Sequence, residues 1–297
     1  MNQMSSTALL SAYTRIYHVT HHNNPVIEEV DWMVSNQEYQ EITSHLVKGI
    51  SFFNPTFIGD DKEALDWIVT KLSGATLARV AYSEKRLEQE VKLNAKQYLI
   101  LGAGLDSFAV RRPNYAEQLN IFELDHPDMS QLKMQRISES VDDISNLTMV
   151  GTNFNHSDWI KDLLASGFKP AKTFCSILGL SYYLKKDEFI KMLKSLYTIL
   201  EPGSCMVLDY PNELTLTEDV NPILKKQMMM ATAADESMLD VYSYQDLEMI
   251  MNDIGFLIYE HLNHQDIEAE FFKEFNQTAH VQLTPYNNIN FCMIAKI

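Results

Sequence analysis

Gln97-Tyr98-Leu99-Ile100-Leu101-Gly102-Ala103-Gly104-Leu105-Asp106-Ser107 is an apolar run that breaks into Gly-x-Gly, and Ile121-Phe122-Glu123-Leu124-Asp125 is a second apolar run that ends in acid. The first has the form of a buried parallel strand turning sharply into a helix, with backbone bare enough to touch a ligand. In a βαβ unit the acid that ends the second strand reaches the same crevice, where a carboxylate accepts both hydroxyls of a ribose. The pair points to an adenosine-type cofactor. Gly-x-Gly by itself is a weak signal, because tight turns also use glycine for steric reasons alone. Ser107 stands at the third glycine of a dinucleotide fingerprint, so the pyrophosphate of NAD or NADP is poorly served. S-adenosylmethionine carries no phosphate; it needs glycines beside its methionine part and an acid for its ribose, but no anion cradle at a helix N-terminus.

Outward from this core, the texture after Gln97 alternates short β-rich runs at 98–101, 121–124, 148–154, 173–178 and 205–210 with longer amphipathic stretches, the pattern of a parallel sheet. A helix is expected over 187–200, stopped by Pro202-Gly203, and another over 243–254, stopped by Gly255. Two final runs, 256–261 and 291–297, complete a mostly parallel seven-stranded α/β sheet of Rossmann-like type. Before Gln97 no convincing alternating strand is found, and 62–72 and 77–93 carry apolar residues at helical spacing. This predicts an N-terminal helical cap over 1–95 and a cofactor-binding domain over 96–297, with an insertion of about 212–242 lying above the carboxyl edge of the sheet.

Composition narrows the partners. With 297 residues, 46% of them hydrophobic, the chain has enough apolar material for one large core. Its 24 Lys plus Arg against 40 Asp plus Glu give a formal charge of −16, which repels a polyanion and argues against nucleic acid. No apolar run nears the roughly 20 residues that cross a bilayer, so no membrane partner and a cytoplasmic location are expected. Cys175, Cys205 and Cys292 sit inside apolar runs and read as small hydrophobes. His18, His21 and His22 are close in sequence but lack acid or cysteine partners at a ligand spacing, so they read as surface residues and no metal is expected.

Taken together, Arg79-Val80, Leu101-Gly102-Ala103-Gly104-Leu105-Asp106-Ser107, Arg111, Phe122-Glu123-Leu124-Asp125-His126-Pro127 with Lys133, and Gly179-Leu180 with Tyr183-Leu184 form a series. In these residues the chain resembles the leucine carboxyl methyltransferase family from about Arg79 to Tyr210. That family is a branch of the class I S-adenosylmethionine-dependent methyltransferases and includes bacterial O-methyltransferases acting on polyketides. The resemblance implies that Arg79 holds the cofactor's carboxylate, that Gly102, Ala103 and Gly104 line its methionine portion with Asp106 in the same turn, and that Asp125, with Glu123 beside it, serves the ribose. Asn153-Phe154 falls where the family carries Asp-Leu near the adenine, and an amide oxygen also accepts a hydrogen bond. Leu178 takes the place of an acid before Gly-Leu, and Phe108 the place of an arginine.

Methyl transfer from a sulfonium is an in-line displacement, so positioning is the enzyme's first task. A carboxylate acceptor is ionised at neutral pH and needs only desolvation and orienting donors, whereas a hydroxyl needs help in losing its proton. Tyr182, Tyr183 and Tyr210, at the ends of the fourth and fifth strands, are the candidates to orient an acceptor. The expected activity is O-methylation of a carboxylate on a small molecule or peptide end. Methylation of a phenolic or polyketide hydroxyl, a non-catalytic cofactor-binding protein, and an NAD(P)-dependent oxidoreductase on the same kind of sheet are the alternatives.

Overall fold

The computed structural model describes residues 1–297 apart from 1–4, 142–143, 155–158, 234–237 and 239. Strands β1 (Gln97–Leu101), β2 (Asn120–Asp125), β3 (Leu147–Gly151), β4 (Thr173–Ile177), β5 (Cys205–Pro211), β6 (Phe256–Leu262) and β7 (Ile289–Lys296) form one seven-stranded sheet. Their order is β3-β2-β1-β4-β5-β7-β6, with β7 antiparallel to both of its neighbours and the other pairings parallel. From β1 the chain steps outward to β2 and β3, then returns to lay β4 and β5 on the other side. The order reverses between β1 and β4, and a crevice opens there beyond the carboxyl ends of the strands.

Both faces of the sheet are covered, which explains why the strands read as continuous apolar runs. In β1, Tyr98 and Ile100 point into one core layer and Leu99 and Leu101 into the other; in β5, Val207 and Leu208 divide the same way. Cys175, Cys205 and Cys292 are free thiols inside these layers. The expected run 148–154 is a strand only to Gly151, after which Thr152, Asn153 and Phe154 leave the sheet and enter the wall of the crevice.

The helical stretches 62–72 and 77–93 are a single helix, Asp61–Lys92. Its start is fixed by a capping box in which Asp60 accepts from the Glu63 backbone and Glu63 from that of Asp60, each at 2.9 Å. Gly74 does not break it. A β-carbon there would lie 2.3 Å from the Thr284 carbonyl oxygen, so glycine serves close packing against the segment that leads into β7. Arg86 and Tyr82, farther along, engage Glu260 of β6 at 2.7 Å and 2.8 Å and lock the helix across the sheet. Two more helices, Ser6–His21 and Asn36–Lys48, pack on its N-terminal half. Among the described residues no helix is long and apolar enough to cross a membrane.

Candidate active site

At the end of β1 the backbone turns through Gly102 (φ +71°) and Gly104 (φ +48°), conformations that L side chains rarely adopt. The N–H groups of Gly102 and Ala103 both reach the Leu124 carbonyl, at 2.9 Å and 3.1 Å, which pins the turn against the end of β2. Asp125 then accepts from the Gly104 and His126 backbones, at 2.6 Å each. A carboxylate has about four lone-pair directions, so two remain for a ligand's hydroxyls. Burial pushes this carboxyl above its ordinary range, against the pull of the two N–H donors.

These groups border a cleft of about 330 Å³, a size suited to a nucleoside cofactor. Arg79, Gly102, Ala103, Gly104, Asp106, Asp125, Asn153, Phe154, Leu178 and Tyr183 all face it. The Asp106 carboxylate accepts from the Phe108 backbone, two residues on, at 2.9 Å and so closes the turn into the next helix. Phe108 itself belongs to the core, edge-on to Tyr98 with ring centroids 5.0 Å apart, so an arginine has no room to act from that position.

Three expected site residues, Glu123, Tyr182 and Tyr210, lie off this cleft. Glu123 is buried against Lys133, both side chains 1% exposed, and is absent from the cleft wall. It shares a face with Asp125 but sits two residues deeper in β2, where Lys133 of helix Pro127–Ser140 covers it. Tyr210 points into the opposite core layer, its hydroxyl 2.9 Å from His261 Nε2, because neighbouring residues of a strand face opposite ways.

The residue before it, Asp209, is a lone acid in an otherwise apolar run, the one sequence signal that marks it. Fully buried, its Oδ2 accepts from Arg79 Nε at 2.6 Å and from the Tyr182 hydroxyl at 2.7 Å, while Oδ1 accepts from the Gly179 backbone at 2.7 Å. Burial disfavours the Arg79 charge, yet Asp209 beside it holds the guanidinium above its usual range. The same burial and the same acid keep Tyr182 protonated.

The N-terminal helix Ser6–His21 also contributes more than sequence spacing indicated. Ser5, Thr7, Ala8, Ser11 and Arg15 line the cleft. Arg15 donates to the Leu105 carbonyl at 2.6 Å, tying this helix to the glycine turn. Behind Arg79 a second chamber of about 80 Å³ opens, sharing Thr7, Ser11, Thr76, Arg79 and Tyr183 with the first. Its wall mixes polar groups with the apolar Leu10, Leu72, Leu224, Met228, Met238 and Ile289.

A sheet of this order with a nucleoside-sized cleft at its switch point, rimmed by a glycine turn and the Asp125 carboxylate, is the frame of a class I S-adenosylmethionine-dependent methyltransferase. The chain belongs to the leucine carboxyl methyltransferase family, whose model matches residues 8–197. A Bacillus subtilis (strain 168) protein named "Putative S-adenosyl-L-methionine-dependent methyltransferase YktD" is 37% identical over 91% of this chain and 92% of its own length. Among solved structures, a DUF574-family protein from Streptomyces avermitilis MA-4680 has a similar fold, with a TM-score of 0.58 at 10% identity over 96% of this chain and 97% of the other. A methyltransferase-titled protein from Thermobifida fusca YX gives 0.52 at 14% identity, over 84% and 93%.

Proposed function

We propose that the protein transfers a methyl group to a carboxylate oxygen of a small molecule or peptide end. The observation that carries this reading is the chamber behind Arg79. The polar groups described on its wall are a guanidinium, the hydroxyls of Thr7, Ser11, Thr14, Thr76, Tyr182, Tyr183 and Tyr286, and the amide of Gln227. Such groups orient an anion by donating to it. Burial raises Tyr182 and Tyr286, so these two phenols stay protonated and do not act as bases; their protons go to Asp209 and to the Lys71 carbonyl or Gln227, which leaves donation to Arg79 and the remaining hydroxyls.

The cleft residues fit the cofactor: a left-handed glycine turn for close approach, the Asp125 carboxylate for ribose hydroxyls, and the apolar Met129, Phe154 and Leu180 for an adenine ring. When bound, S-adenosylmethionine supplies a methyl carbon on positively charged sulfur, which a carboxylate oxygen displaces without any proton changing hands. The work left to the protein is alignment and exclusion of water. Arg79, at the junction of the two chambers, has N–H donors besides the Nε–H given to Asp209 with which to orient a carboxylate, and the chamber's apolar side chains suit the acceptor's body. The family model's description, leucine carboxyl methyltransferase, supports the same acceptor class.

The test is methyl transfer from labelled S-adenosylmethionine to a panel of aliphatic acids, peptides with free carboxyl ends, and phenols. Label should appear on acids and be released as methanol by mild alkali, and the rate should stay flat with pH above the acceptor's own pKa. Alkali-stable label on phenols, with a rate that climbs with pH, would assign the site to hydroxyl methylation instead.

A further inference from the structure

The fold assembles a cluster that sequence spacing concealed. His22 follows the N-terminal helix directly, Asp66 lies in the first turns of helix Asp61–Lys92, and His280 precedes β7, yet one ligand atom from each lies within 4.8 Å of the others. His22 Nε2 faces Asp66 Oδ1 at 3.5 Å, and His280 Nε2 faces Asp66 Oδ2 at 3.2 Å. The supposed surface character of these histidines is corrected in part. The His22 side chain is only 4% exposed, and His18 is buried in the core, accepting from the Val26 backbone at 3.1 Å.

The tautomer of His22 can be reasoned from its neighbours. Its Nδ1 lies 3.2 Å from the His18 carbonyl oxygen, which only accepts, so Nδ1 carries the proton and Nε2 presents a lone pair in the neutral ring. That nitrogen is buried, has no hydrogen-bond partner, and is aimed at a carboxylate oxygen that also offers lone pairs. Two acceptors facing each other across a buried gap call for a cation between them. A metal-bound histidine commonly donates its other ring nitrogen to a carbonyl in this way. The Tyr17 hydroxyl, 3.5 Å from Asp66 Oδ1, and the Phe275 ring, edge-on to His22 with centroids 5.5 Å apart, complete the surroundings.

We propose that His22, Asp66 and His280 form a binding site for a divalent transition-metal ion of borderline softness, such as Zn²⁺, with a fourth position open to water. Two imidazoles and one carboxylate suit such an ion. The site would tie the end of the cap helix to helix Asp61–Lys92 and to the segment leading into Tyr286 and β7. It would thereby fix the element whose other end, from Ser5 to Arg15, closes the cleft.

The experiment is calorimetric titration of Zn²⁺ into untagged, chelator-treated full-length protein, repeated with Co²⁺ to read the visible absorption of a tetrahedral site. His280, 71% exposed, can be changed to Ala without risk to folding, and Asp66→Asn provides a second variant. The wild type should bind one equivalent with a Kd of about 1 μM or tighter. Each variant should weaken binding by about tenfold or more. Zn²⁺ at about 100 times the wild-type Kd should raise the wild-type Tm by about 5 °C and that of His280→Ala by about half as much or less. No binding to the wild type, or binding that both variants retain at wild-type affinity, would overturn the proposal.

Discussion

Asp209 illustrates how one buried charge organises this site. Removed from water, it is stabilised by Arg79, the Tyr182 hydroxyl and the Gly179 N–H, and in return it fixes the arginine at the junction of the two chambers. Breaking a buried pair leaves an uncompensated charge, so Asp209→Asn should lower the unfolding free energy by about 3 kcal/mol or more in urea titrations. Tyr182→Phe, which removes one charge-assisted hydrogen bond, should cost about 1.5–3 kcal/mol. A wild-type midpoint for Asp209→Asn would show that the acid does not hold the arginine. The sequence displays the run Cys205 to Tyr210 but not which face of it meets the cap, and with a period of two Tyr210 lies on the face opposite Asp209. Gly102, Gly104 and Asp125 were legible because a strand end, a bare turn and a terminal acid constrain one another locally.

At the scale of elements, helix Pro127–Ser140 is fastened to β2 by Lys133 on Glu123, both 1% exposed. Burial pushes the Glu123 carboxyl up to about 7 in spite of the lysine beside it. Because the folded value lies above the ordinary one, its contribution to stability is complete at low pH and is lost as pH rises through about 7. In Lys133→Met the opposing cation is gone and ionisation costs more. That variant should be destabilised by about 3–5 kcal/mol near about pH 8, and much less near about pH 5, where Glu123 takes up a proton. Thermal unfolding at the two pH values checks this, and an equal loss at both would contradict it. The pair was invisible to a reading that assigned Glu123 to the cleft, since the depth of a side chain below a rim is set by the helix that packs there. The helical character of 62–72 and 77–93 was legible from spacing, whereas their union through Gly74 was not, because the Thr284 carbonyl that requires a glycine there comes from a distant segment.

At the scale of the whole molecule, the strand sequence and the helical character of the N-terminal region could be read from periodicity, because every strand is buried on one or both faces and carries its pattern locally. What could not be read was association over long sequence distances: Ala8 beside Gly104, Arg15 on Leu105, His22 beside Asp66 and His280. These contacts make the cap part of the site rather than an appendage. The central claim is that a nucleoside without phosphates binds where β1 and β2 end. Calorimetric titration with S-adenosylhomocysteine, in parallel with NAD, tests it most directly. The account predicts binding of about −7 to −8 kcal/mol for S-adenosylhomocysteine and none for NAD, with loss of the former in Asp125→Ala and Gly104→Val. A Gly104 side chain is strained by the φ of +48°, and its β-carbon would stand in van der Waals contact with the Ala8 methyl, 3.5 Å away. Undiminished binding in both variants, or a preference for NAD, would contradict the account.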